Sequence, residues 1–135
     1  MNSTKGELMK EIIKTADAPG AVGPYSQAVK VDCKTMIFCS GQIPLDPKNG
    51  KIVGKTTAEQ AHQVLKNLGA VLKASGADFK NVVKTTVYLA DINDFAAVNE
   101  VYSEYFLTDM PARAAFQVGK LPKDALIEIE AIAVV

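Results

Sequence analysis

Residues 125–135 read ALIEIEAIAVV, and the alternation in this stretch decides the fold. Successive side chains of a β-strand point to opposite faces of the sheet. Ile127, Ile129, Ala131, Ala133 and Val135 therefore share one apolar face, suited to lie beneath helices. The opposite face carries Glu128, Glu130, Ile132 and Val134, so it begins charged and turns apolar halfway along. A solvated face has no reason to change character in this way, so this one calls for a cover. The chain supplies two helical segments, and both are needed on the first face. The economical cover is another copy of the chain, which implies a homo-oligomer with Glu128 and Glu130 at the edge of a subunit interface. Carboxylates buried there need partners or a raised pKa, and catalytic sites exploit both outcomes.

The strand before this one, ARAAFQVG (112–119), obeys the same alternation. Arg113, Ala115 and Gln117 share one face, and Ala114, Phe116 and Val118 the other. Further upstream, VVKTTVYLA (82–90) is β-branched and strand-like. NDFAAVNEVYSEYF (93–106) has helical period through Phe95, Val98, Tyr102, Tyr105 and Phe106. A longer helix opens at Thr57, with Gln60 three residues on in the manner of a capping box. Ala61, Val64, Leu65, Leu68, Val71 and Leu72 give it one apolar face, and Gly76 ends it. KEIIKT (10–15), QAVKVD (27–32) and TMIFCSGQI (35–43) complete the strands. The turn-rich ADAPGAVGPYS (16–26) and a loop with Asn49-Gly50 lie between elements. The expected architecture is α+β: a mixed six-stranded sheet with two helices packed on one face. Residues 9–135 form the domain, and residues 1–8 read as a flexible N-terminal extension.

The 135 residues include equal numbers of acidic and basic side chains, and 48% are hydrophobic. Neutrality argues against a general nucleic-acid binder, which carries a basic face. No apolar run approaches bilayer length, the N-terminus lacks a signal core, and two isolated cysteines suit a reduced compartment. A cytoplasmic location is expected. Phosphate-cradling glycine motifs are absent, and His62, the one histidine, falls off the apolar helix face as a solvated side chain. Zinc-type hydrolysis and a Ser-His-Asp triad are thereby excluded, and neither a metal nor a cofactor is expected. The remaining toolkit is carboxylate, arginine, hydroxyl and backbone, which suits holding a small carboxylate while water adds to an electrophilic carbon.

Fourteen lysines stand against one arginine, Arg113. A guanidinium can grip a carboxylate with two parallel hydrogen bonds, whereas an ammonium is a hydrated point charge. Arg113 is thus either a surface charge paired with an acid or a carboxylate clamp. Tyr25 follows Gly23-Pro24 in a rigid turn, presented to a ligand or plugging the core edge. Ser40-Gly41 ends an apolar strand, where Gly41 permits close approach of a ligand or marks a bulge. Asn99 lies on the apolar side of the second helix and reads as a structural hydrogen bond.

GPYSQAV (23–29), SGQIPLDP (40–47), VVKTTVYLADINDFAAVNEVY (82–102) and PARAAFQVGKLPKDALIEIEAIAVV (111–135) together resemble the reactive-intermediate deaminase, or RidA/YjgF, family. The resemblance runs from Met9 to the end of the chain. It implies a chorismate-mutase-like fold and a homotrimer with a central barrel and intersubunit clefts. The implied activity is hydrolysis of 2-aminoacrylate, 2-iminobutyrate and related acids, released by pyridoxal-phosphate enzymes, to 2-keto acids and ammonia. Arg113 matches the arginine that binds the substrate carboxylate, and Glu128 the glutamate that activates water. Tyr25 and Ser40 match the residues lining the pocket, with Gly41 beside them. Ala115 stands where many members have cysteine, so only its main-chain carbonyl is left to hold water. Two rival readings of such a cleft are a small-acid-binding or chaperone-like trimer without turnover, and an RNA-cleaving translation inhibitor.

Overall fold

A computed structural model describes residues 9–135, so the proposed extension 1–8 lies outside the described residues. The elements follow in the order β1 (Met9–Ile13), β2 (Ala28–Asp32), β3 (Met36–Gln42), α1 (Thr57–Ala74), β4 (Val82–Leu89), α2 (Phe95–Ser103), β5 (Ala112–Gln117) and β6 (Ile127–Val134). The class is α+β, with two helices on a mixed sheet of order β3-β6-β4-β5. β6 is antiparallel to both its neighbours, while β5 returns parallel to β4 through the α2 crossover. No helix among the described residues is long and apolar enough to cross a membrane.

The six strands do not form one continuous sheet. β1 and β2 pair with each other as a separate two-stranded ribbon. Its link to the main sheet is a single parallel bridge between Ser26 and Ala112. The segment before β2 carries Pro19 and Pro24, which have no N–H to extend a ladder. A lysine completes the join: Lys10 Nζ donates to the carbonyls of Lys80, Val82 and Asp109 at 3.2, 3.2 and 2.8 Å.

Helix α1 opens at Thr57 as expected, but its N-cap lies one residue earlier than the expected capping box places it. Thr56, not Thr57, is the N-cap: its hydroxyl accepts from the Glu59 N–H, and Glu59 accepts in return from the Thr56 N–H. The sequence offers the same spacing twice, at 56/59 and 57/60. A carboxylate near the positive end of the helix is the better partner. Thr57 and Gln60 are buried and tie the helix to its surroundings. The Thr57 hydroxyl donates to Asp94 at 2.6 Å, and the Gln60 amide bonds the Gly54 carbonyl and the Leu126 N–H. At the other end Gly76, with φ +79°, closes the helix as expected: its N–H bonds the Lys73 carbonyl, and that of Ala77 bonds Leu72. Gly76→Ala must hold an alanine in that left-handed conformation. A loss of about 1 kcal/mol is expected in urea unfolding, with the slope unchanged.

Val64, Leu65, Leu68 and Leu72 of α1, with Val98 and Tyr102 of α2, cover Val87, Leu89, Ile127 and Ile129 of the sheet, all with no exposed area. The alternation of residues 127–133 is thus realised as an inner face under the helices. Among the described residues, nothing covers the outer face at two of its aromatic side chains. Phe38 is 71% exposed opposite Ile132, and Phe116 is 46% exposed on the same side.

Candidate active site

Cross-strand pairing decides where the lone arginine points. Arg113 on β5 lies beside Thr85 on β4, and Thr85 is buried beneath the helices. The guanidinium therefore rises on the helix side, where α2 meets the turn before β2. Three aromatic rings surround it, with centroids 5.0 Å (Tyr102), 5.1 Å (Phe95) and 5.5 Å (Tyr25) from its central carbon. Nη1 donates to Asn99 Oδ1 at 2.8 Å. Among the described residues this is its one side-chain hydrogen bond, and no carboxylate pairs with it. Burial pulls the Arg113 pKa down from its ordinary value, against the raising effect of the Tyr102 and Tyr25 phenols. An arginine has ample margin and remains a cation.

Each wall has a local cause. Phe95, Asn99 and Tyr102 recur at i, i+4 and i+7, which places them on one stripe of α2. The Tyr102 hydroxyl lies 2.8 Å from that of Thr85, so both buried groups are satisfied and the ring is fixed. Burial pushes the Tyr102 phenol up to about 12. Tyr25 arrives through a turn around Pro24, in which its N–H bonds the Gly23 carbonyl. Ser26 anchors that turn, with its N–H on the Pro111 carbonyl and its hydroxyl on that of Met110.

Glu128 stands on the other side of the sheet. Its cross-strand neighbour is Tyr88, on the face away from the helices. Pairing of β3 with β6 slips between Cys39 and Gln42, so Ser40 and Gly41 bulge opposite Glu130. A Cβ on Gly41 would lie 1.9 Å from Glu128 Oε2. The missing side chain thus makes room for the Glu128 carboxylate; the expected bulge is present, and the group that approaches Gly41 closely is Glu128. Ser40 is exposed and borders an open recess shared with Phe38, Lys84, Thr86, Glu130 and Ile132. Burial, and after it Glu130, raises the Tyr88 phenol from its ordinary value.

The site residues expected from the sequence therefore form two groups. Arg113 and Tyr25 meet on the helix side; Ser40, Gly41 and Glu128 meet on the outer face. Ala115 turns its methyl into the core beside Val87, on an outer strand whose free edge begins past the Ser26 bridge. Sequence reading missed the roles of Phe95 and Tyr102, taken only as an apolar helix face, and placed Asn99 as a structural tie without naming Arg113 as its partner. The signal was the 95/99/102 spacing, once the arginine was known to face α2. His62 bonds Tyr105 at 3.1 Å across the helix pair and belongs to neither group.

Residues 15–135 match the family model described as Endoribonuclease L-PSP. The human protein named 2-iminobutanoate/2-iminopropanoate deaminase is 60% identical over 127 residues, covering 94% of this chain and 91% of the human protein. Among solved structures, E. coli TdcF with bound serine is 44% identical and superposes with a TM-score of 0.70, covering 93% of this chain and 98% of that one. YyfB of Yersinia pestis, a protein of unknown function of the conserved Rid family, is 29% identical with a TM-score of 0.85 over 93% and 98% of the two chains. Fold, the stretches quoted above and near-full-length identity agree: this chain belongs to the RidA/YjgF family of reactive-intermediate deaminases.

Proposed function

We propose that the protein hydrolyses 2-imino acids, such as 2-iminobutanoate and 2-iminopropanoate, to 2-keto acids and ammonia. The observation that carries this reading is a half-buried guanidinium held by rings and a neutral amide, with no carboxylate partner among the described residues. Such a cation is poised for a small carboxylate from outside. The human relative's name specifies these imines, and TdcF was crystallised with serine, which also bears a carboxylate.

The chemistry asks little of the protein. The enamine tautomerises to an imine whose carbon is already electrophilic. Arg113 holds the carboxylate two-pronged and fixes that carbon against a water molecule. Glu128 takes a proton from the water as the C–O bond forms and returns it to nitrogen. Glu128 then takes the proton of the new hydroxyl and passes it to the amine, so that the C–N bond breaks as the C=O bond forms; ammonia leaves and the keto acid remains. Tyr25 and Ser40 line the pocket, Gly41 seats Glu128, and the Ala115 carbonyl holds the water. Net neutrality and a single arginine offer little to an RNA backbone, so the RNA-cleaving reading has less support.

Arg113 and Glu128 lie on opposite faces of one chain, so the reading requires Glu128 of a second copy beside Arg113 of the first. The partly apolar outer face with exposed Phe38 and Phe116 is the surface available for that contact, in a homotrimer with clefts between subunits. A coupled assay tests the activity: a pyridoxal-phosphate threonine dehydratase generates iminobutanoate, and semicarbazide traps what survives. Adding the protein is expected to abolish most trapping and speed keto acid release; unchanged trapping refutes the reading. Shared clefts carry their own prediction. Arg113→Ala and Glu128→Gln subunits are each nearly inactive alone. When they are co-expressed, random assembly is expected to restore about a quarter of the clefts. A site contained within one subunit would restore none.

A further inference from the structure

We propose that Asn99 is a positioning residue that aims the Arg113 guanidinium while leaving its charge unneutralised for the substrate carboxylate. The proposal rests on the carboxylate-binding reading of Arg113 given above. Arginine has donors only, so the amide oxygen of Asn99 must face it, and the 2.8 Å contact to Nη1 fixes the orientation of both groups. Tyr102, Phe95 and Tyr25 crowd the guanidinium, and hydrogen bonding proceeds only in its plane. With Nη1 held, Nη2 lies towards the gap left by Gly23. A Cβ there would sit 3.4 Å from Nη2 and 3.6 Å from Asn99 Nδ2. One edge of the fork is thus anchored on Asn99, and the other faces Gly23, where no side chain intrudes.

The chemistry of the anchor carries the inference. An aspartate has nearly the shape of asparagine and would bind a guanidinium more strongly, because both partners would be charged. If residue 99 served only to fasten β5 to α2, aspartate would serve better. It would also satisfy the positive charge, and an incoming carboxylate would have to compete with it. The neutral amide orients the fork without that competition. Its place between Phe95 and Tyr102 on one helical stripe means that a single element sets both the anchor and two of the rings.

The test compares Asn99→Ala, Asn99→Asp and Arg113→Ala with wild type, all as the purified full chain. The probe is 2-oxobutanoate, the stable product of the proposed reaction, titrated calorimetrically, with thermal unfolding of each variant alongside. Loss of one hydrogen bond to a charged group is expected to weaken binding about tenfold in Asn99→Ala. Asn99→Asp is expected to weaken it about a hundredfold while unfolding no earlier than Asn99→Ala, because its stronger bond is made to the wrong partner. If Asn99→Asp binds as well as Asn99→Ala while Arg113→Ala still fails to bind, Asn99 is a structural tie and the proposal falls alone. If Arg113→Ala binds like wild type, the carboxylate reading falls and the proposal with it. Turnover provides the second readout, which stands even if Asn99→Asp does not fold. In Asn99→Ala the loss should fall on KM, with kcat kept within about threefold. A loss confined to kcat overturns the proposal.

Discussion

Arg113→Lys is expected to lower kcat/KM for iminobutanoate about a hundredfold, and Arg113→Ala about a thousandfold, although lysine keeps the charge. The physical reason lies in what surrounds residue 113. Three rings at 5.0–5.5 Å suit a flat, weakly hydrated cation. An ammonium is compact and strongly hydrated, so the same walls would strip its water with poor return. It would also lose the fork, so that one nitrogen would have to serve both Asn99 and the substrate. The substrate would still be attracted, but its reacting carbon would no longer be held at a fixed angle to the water. The dehydratase assay measures this directly, with thermal unfolding and oligomer size as controls. Full activity in Arg113→Lys would remove residue 113 from its assigned role, and the aromatic surround would then be a packing feature of α2 against β5.

How far the sequence revealed this arrangement depends on the kind of information each feature needs. The alternation of residues 127–133 was legible because a period of two is a local property, and burial follows it residue by residue. The uniqueness of Arg113 was legible from composition. Which side of the sheet Arg113 faces was not, because that depends on the register of β5 against β4, set by contacts distant in sequence. The opposition of Arg113 and Glu128 was hidden for the same reason: each strand's pattern gives two faces without saying which face matches its neighbour's. The division into a ribbon and a four-stranded sheet was equally out of reach. It turns on one bridge at Ser26 and on a lysine reaching three carbonyls. Thr56 displaced Thr57 as the cap because two overlapping spacings fit the same rule, and burial of Thr57 and Gln60 decided between them.

Gly41 yields the sharper test of Glu128. Sequence reading left two reasons for a glycine there, a bulge or the approach of a ligand. The close approach belongs to Glu128, whose Oε2, carboxyl carbon and Cγ would lie 1.9, 2.8 and 3.0 Å from an added Cβ. Gly41→Ala can be accommodated only if the Glu128 side chain moves, because real Cβ atoms do not approach so closely. The φ of Gly41 is not positive, so the substitution brings no left-handed backbone strain. The fold should tolerate it while the carboxylate is displaced by an ångström or more. Misplacement of that size costs about a hundredfold in rate, and the loss is expected in kcat, because the substrate carboxylate is held elsewhere. A double-mutant cycle separates displacement from general damage. In a Glu128→Gln background, which has already lost the base, Gly41→Ala should cost less than about threefold further. If the two losses multiply instead, Gly41 acts through something other than Glu128. If Gly41→Ala alone keeps wild-type kcat, the position of the Glu128 carboxylate against the β3 bulge is irrelevant to turnover, and the water-activating role must be sought elsewhere on the outer face, where Glu130 lies two residues along the same strand and Tyr88 directly across from Glu128.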